Sequence, residues 1–298
     1  MLILSTVSKA TIWGSDRLYP FGGDSTIPTL GQLYTAAGNE ELSSTILNGE
    51  FAGQSLYQVY ADHPELFGYD KYEGFPLLIG FVDANENLSI QIHPHDEYAR
   101  TMESKPFGKN ESWLFLEAPK AGAIINGCKC ADMDEVHAKI AEGDWDGIID
   151  HLPVKQNEYV YVQSGTLHAL TAGSLVYEIQ QSTDITYRFW DYDRTDAQGN
   201  KRPLQLEKAV AVIDVNKRSE SIPCEKEKVY THPYYSVTVK DAEGSLCNDA
   251  SVFCVVTLLD GAITVDGHTV QKGSSLILLP QEEIHFEGSA SVVVALPL

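Results

Sequence analysis

The stretch Leu88-Ser89-Ile90-Gln91-Ile92-His93 alternates strictly between apolar and polar residues and stops at Pro94. That alternation is the period of a half-buried strand, and proline ends it because it has no N–H to give to a ladder. Leu88, Ile90 and Ile92 must face a core, while Ser89, Gln91 and His93 share the other face. A second polar doublet, Lys109-x-Glu111, leads into the apolar run Trp113-Leu114-Phe115-Leu116. Two such strands side by side aim an amide, an imidazole, an ammonium and a carboxylate into one space. Desolvating those groups is costly unless they are paired or bind a metal ion.

The rest of the chain reads as short strands with few helices. Residues 75–82 form a nearly continuous apolar run, as expected of a buried strand, and 154–162 and 174–181 are further strands. Leu56, Val59 and Tyr60 have helical spacing within 52–67, and Leu206, Val210 and Ile213 do so within 204–215. The clearest helical region is 132–151, where Asp132 and Asp134 can cap the start and Val136 and Ile140 share a face. His151 is read at the end of that helix, where the terminal carbonyls favour an imidazolium. Toward the C-terminus, Asp260-Gly261 and Asp266-Gly267 each read as a hairpin turn between strands. The expected fold class is therefore mainly β. The chain divides into residues 1–215, with helical segments, a charged linker at 216–229, and a β-barrel-like module at 230–298.

Charge narrows the partners. The net charge of −21 argues against nucleic acid and anionic membranes, which need a basic face. No run approaches the ~18 apolar residues of a membrane span. Met1-Leu2-Ile3-Leu4 is apolar but lacks the basic flank of a signal peptide. The five cysteines, Cys128, Cys130, Cys224, Cys247 and Cys254, are odd in number and irregular in spacing. Reduced thiols and a cytoplasmic location follow. Monomer and homodimer are both compatible with the sequence.

Gln91, His93, Glu111 and His168 together make a mixed nitrogen and oxygen set that suits one catalytic Zn²⁺ or a similar divalent ion. His168 stands in Ser164-Gly165-Thr166-Leu167-His168-Ala169, bracketed by small residues. His95 competes with His93, but it follows Pro94 into the loop and leaves the shared face.

These motifs resemble the type I mannose-6-phosphate isomerases, also called phosphomannose isomerases, in their short bacterial form. The likeness rests on four separated elements in order: 75–94, Gly108-Lys109-x-Glu111-x-Trp113, Ser164–Ala169, and Tyr177-Glu178-Ile179-Gln180-Gln181-Ser182-x-Asp184-x-Thr186-Tyr187-Arg188 running on to Asp191, Asp193 and Arg194. The resemblance implies two cupin-like β-barrels of jelly-roll type, with a small helical insertion in the first and the active site there. It implies the same four zinc ligands and makes Arg188 the active-site arginine. The chain departs from the family at Gly80, where a lysine is usual, at Gly31-Gln32-Leu33-Tyr34 in place of Gly-Glu-x-Trp, and at Gln163 in place of a proline.

The chemistry implied is the interconversion of mannose 6-phosphate and fructose 6-phosphate through an enediol. Lys109, beside Glu111, is the candidate for moving the proton. Arg188 would stabilise the enediolate, and Asp184 and Glu178 would orient these groups or share the transfer. Arg100, Lys105 and Arg194 are candidates for holding the phosphate. The alternative is a non-catalytic, metal-containing cupin that binds sugar phosphates; Lys109, Asp184 and Arg188 together argue against it, because a binder needs no proton shuttle. An Fe²⁺ cupin oxygenase is a further alternative, which Gln91 and the Lys109/Arg188 pair fit poorly.

Overall fold

The computed structural model describes residues 1–68, 74–195 and 199–298. It is mainly β, with 44% of residues in strands and 16% in helices, and its sheets are antiparallel. The residues fall into two compact units, Thr11–Ser15 with Val82–Pro223, and Met1–Ala10 with Asp16–Phe81 and Cys224–Leu298. Neither unit is continuous in sequence. No helix among the described residues is long and apolar enough to cross a membrane.

The Val82–Pro223 unit holds every predicted site residue. One sheet runs in the order Tyr187–Trp190, Ile90–Ile92, His168–Ala169, Ala123–Cys128 and Ile149–Pro153. A second set of strands runs Ser221–Pro223, Glu158–Val162, Glu111–Glu117 and Ser174–Gln181. Ser221–Pro223, inside the stretch read as a linker, is thus an edge strand on Glu158–Val162. Apolar residues of both sets, among them Ile90, Ile92, Trp113, Phe115, Val160, Val176 and Phe189, pack as one core. The ladders are open, so core packing holds the two sets together.

The alternation at 88–93 places its residues as expected. Ile90 and Ile92 are fully buried in the core, while Gln91 is half-buried on the opposite face. Register then assembles distant motifs. Gln91 lies opposite His168 on one side and opposite Arg188 on the other. A one-residue slip of the Ile90–Ile92 strand would send Gln91 to the apolar side, so the core pattern also sets the site.

The helix Met133–Glu142 forms where predicted. The Asp132 side chain accepts from the Glu135 N–H, and Gly143 ends the helix in the left-handed region at φ 71°. A short helix, Trp145–Ile148, follows, and then His151 lies exposed within the strand Ile149–Pro153. The expectation that His151 ends a helix is corrected: the helix stops at Ile148 and a strand begins at Ile149 before His151 is reached.

In the other unit, Asp266-Gly267 makes the predicted tight turn, both residues having positive φ, and joins Cys254–Val265 to His268–Gln271. Asp260-Gly261 does not. It lies inside the continuous strand Cys254–Val265, at a register shift against Glu283–Pro297. Gly261 takes φ 82°, and a Cβ there would collide with the Ser289 carbonyl oxygen, so the dipeptide forms a bulge rather than a turn. Leu2–Ile3 pairs with Ser275–Leu278 as the edge strand, which brings the first residues into the C-terminal sheet.

Gly80 sits in the wholly buried strand Leu77–Ala84. A Cβ there would collide with the Leu33 carbonyl oxygen and lie 3.0 Å from Tyr34 Cα. A lysine side chain therefore has no room at this position, and backbone occupies its place.

Candidate metal centre and active site

His93, Glu111 and His168 are buried, and their ligand atoms lie within 4.8 Å of one another. Each ring is fixed by a carbonyl: His93 Nδ1 lies 2.9 Å from the Ile185 oxygen and His168 Nδ1 lies 2.8 Å from the Thr166 oxygen. A carbonyl can only accept, so each Nδ1 carries the proton and each Nε2 presents a bare lone pair. The two Nε2 atoms face each other at 3.1 Å. Lone pairs at that separation repel unless a positive centre lies among them. Protonation of His93 does not supply it at neutral pH, because burial, helped by the Lys109 charge, pushes the His93 imidazole down to about 3.

Glu111 completes the group. Its Oε1 is 3.2 Å from His168 Nε2, and its Oε2 is 3.5 Å from His93 Nε2 and 3.0 Å from Lys109 Nζ. Neither oxygen makes a well-aligned hydrogen bond. Burial would raise the Glu111 carboxyl, but Lys109 and the two histidines hold it well below the usual range, so it is an anion. Two neutral imidazoles and a buried carboxylate converging on one point fit a divalent cation. Gln91 borders the same space, its Nε2 3.5 Å from His168 Nε2. His95 is not part of it, since its Nδ1 accepts from the Tyr98 N–H and caps the helix Asp96–Glu103.

Lys109 and Glu178 lie against the triad, both buried. Burial alone would lower the Lys109 amine, but Glu111, Glu178 and Asp184 outweigh it and raise it. Glu178 moves the other way for a carboxylate: burial first, then the Glu111 charge, pushes it up to about 7, against the pull of Lys109 and of the Trp113 indole. That indole Nε1–H donates to Glu178 Oε1 at 2.8 Å. Asp184 is exposed at the rim and acts on both groups through its charge. Arg188 is anchored by Nη1–H to the Pro203 carbonyl at 2.7 Å, while its buried Nε has no hydrogen-bond partner.

The first 113 residues match the family model described as phosphomannose isomerase type I, catalytic domain. The mannose-6-phosphate isomerase of Streptococcus mutans is 36% identical over 290 residues, which cover 93% of this chain and 92% of that protein. The chain belongs to the type I phosphomannose isomerase family. The mannose-6-phosphate isomerase ManA of Bacillus subtilis is 34% identical over 99% of this chain and 98% of its own. A crystal structure of the mannose 6-phosphate isomerase from Bacillus subtilis superposes with a TM-score of 0.88 at 30% identity, covering 99% of both chains. The family is metal-dependent, in keeping with the triad.

The three cations considered for the phosphate are placed differently. Arg194 binds the Asp191 carboxylate and donates to the Asn87 carbonyl at 2.6 Å. Arg100 is exposed, with a long contact of 3.4 Å to the Pro106 carbonyl, and Lys105 is half-buried. Sequence reasoning missed Arg202, whose Nε and Nη2 bind Asp191 at 2.8 and 2.6 Å. It also missed the role of Trp113 in holding Glu178. An indole two residues after Glu111, on the same strand face, was the available signal.

Asp191 carries a pH signature. Burial would raise its carboxyl, but Arg202 and Arg194 lower it below 3.8. The cluster is thus fully stabilising above the unfolded value and weakens as pH falls through the folded one. Asp191→Asn is expected to cost roughly 1–3 kcal/mol near neutral pH. The difference from the parent should shrink below pH 3.8. Urea unfolding of both proteins along a pH series checks this; a difference independent of pH would remove Asp191 as the titrating partner.

Proposed function

We propose that this chain is a zinc-dependent aldose–ketose isomerase that interconverts mannose 6-phosphate and fructose 6-phosphate. The observation that carries the reading is the pair of facing Nε2 lone pairs beside the buried Glu111 carboxylate. His93, Glu111 and His168 would hold the ion, with Gln91 as fourth ligand once its amide is turned so that Oε1 takes the place of Nε2. When bound, such an ion polarises the carbonyl and hydroxyl oxygens of the sugar.

The proton work falls to this chain's own side chains. Aldose to ketose requires a proton to leave C2 and return to C1, with an enediol between, while a proton shifts from O2 to O1. Glu178, pushed up to about 7, is matched to lifting and returning a carbon-bound proton near neutral pH. Lys109 was the candidate for that step. The carboxylates around it favour its ammonium form, which suits it to donate to the sugar oxygens instead. Arg188, always charged, offers its unpartnered Nε–H to an anionic oxygen of the enediolate or the phosphate. Asp184, at the rim, orients Lys109 through its charge.

The two strand sets of the Val82–Pro223 unit form a cupin-type double sheet, with Met133–Glu142 as its helical insertion, and the C-terminal sheet is a second, site-free cupin-like module. Free thiols throughout the chain and a phosphorylated metabolite as substrate accord with a cytoplasmic enzyme. A binding protein without turnover has no use for Lys109 and Glu178 buried against the metal set.

A coupled assay of mannose 6-phosphate conversion tests the reading. Metal-replete protein is expected to isomerise, to stop when chelated, and to recover best with Zn²⁺. Absence of isomerisation by replete protein overturns the activity; recovery with another ion alone overturns zinc.

A further inference from the structure

Between Lys109 and Glu111 lies Asn110, a buried amide. Its Oδ1 accepts from the Ser164 N–H at 3.0 Å and from the Tyr161 hydroxyl at 3.3 Å. Its own N–H and Nδ2–H both donate to Gln181 Oε1, at 3.0 and 2.7 Å. Gln181, 1% exposed, donates through Nε2 to Asp96 Oδ1 at 2.9 Å and through its N–H to the Asn110 carbonyl at 3.1 Å. The same Asp96 oxygen accepts from the Gly108 N–H at 2.8 Å.

We infer that Gln181 is a positioning residue for the metal centre, fixing where Lys109 and Glu111 stand relative to His93 and His168. Glu111 is the first residue of its strand, so the preceding residues lack a regular ladder. Side-chain bonds from Gln181 and Asp96 take the ladder's place. The network also reaches the other ligands. Ser164 lies in the turn before His168, and the Gly165 N–H donates to the His93 carbonyl at 2.8 Å. An amide is required at 181 because one end accepts twice and the other donates. A carboxylate keeps only the first function, and a hydrocarbon keeps neither. Partners one shell behind a metal ligand set its aim, and small misplacements there lower affinity.

This inference rests on the metal reading of His93, Glu111 and His168. Zinc affinity is measured by competition with a chromogenic chelator in the parent, in Gln181→Glu, and in Gln181→Glu combined with Asp96→Asn. Gln181→Glu sets two carboxylates face to face. Its zinc affinity is expected to fall about 10- to 100-fold, and kcat at saturating zinc to fall with KM moving less than roughly threefold. The double variant lets the new amide at position 96 donate to the new carboxylate at 181 but gives up the Gly108 N–H bond to the same Asp96 oxygen. It should therefore regain part of the lost affinity, which general destabilisation would not do. Parent-like affinity in Gln181→Glu, or no recovery in the double variant, overturns the inference. If Gln181→Glu does not fold, Asp96→Ala at a partly exposed position removes the same bond and must lower zinc affinity; parent-like binding there also overturns it. A parent that binds no zinc would instead overturn the metal reading, so the two failures are distinguishable.

Discussion

Replacing His168 with alanine is expected to abolish metal binding and isomerase activity together. The ring is fully buried, with its Nδ1 fixed by Thr166 and its Nε2 shared among His93 and Glu111. Its face also packs edge-on against Trp113 at 5.6 Å. Removal leaves one imidazole and one carboxylate with only the neutral Gln91 amide beside them, a much weaker donor set than the two imidazoles and a carboxylate of the parent. The cavity alone should cost about 3 kcal/mol. A second loss comes through linkage, since an ion present at a thousand times its Kd stabilises the fold by about 4 kcal/mol. The parent should therefore melt lower when chelated, whereas His168→Ala should melt at one temperature with or without chelator. Metal analysis and thermal melts check both statements. Full metal occupancy in the variant would remove His168 from the ligand set.

Lys109→Met should have the opposite signature: metal retained, turnover lost. The ammonium stands 3.0 Å from Glu111 Oε2 and shares that carboxylate with any bound cation. Removing it relieves a like-charge repulsion, so metal affinity should hold or rise. Turnover loses its proton donor to the sugar oxygens, a contribution of about 10²–10⁴ in kcat. The metal-free variant buries Glu111 without its ammonium, and breaking such a pair costs about 3–5 kcal/mol. Chelator should consequently destabilise Lys109→Met far more than it destabilises the parent. Loss of metal along with activity would make Lys109 a structural support of the centre rather than a participant in the reaction.

These expectations show how the residues divide between what local pattern can specify and what it cannot. Gln91 and His93 were legible because period-two alternation and Pro94 leave only one way to orient the strand. Glu111 was legible as the echo of that pattern, and His168 by its bracket of small residues. His95 was set aside for the same local reason, its place after Pro94. Asp260-Gly261 misled because a turn and a bulge ask the same thing of glycine, a positive φ. Only the partner strand, with the Ser289 carbonyl against Gly261, distinguishes them.

By itself the sequence determined most of the strands, the faces their side chains take, and the residue types of the candidate metal set, because these follow from short-range periodicity and from the cost of burying unpaired polar groups. Tertiary structure alone decided protonation and support. The rise of Glu178 to about 7 and the Gln181–Asn110–Asp96 network arise between elements distant in the chain, and the raised Lys109 amine owes part of its shift to Glu178 and Asp184 as well as to nearby Glu111. Desolvation and Coulomb energy depend on distances through space, and no spacing along the chain encodes them.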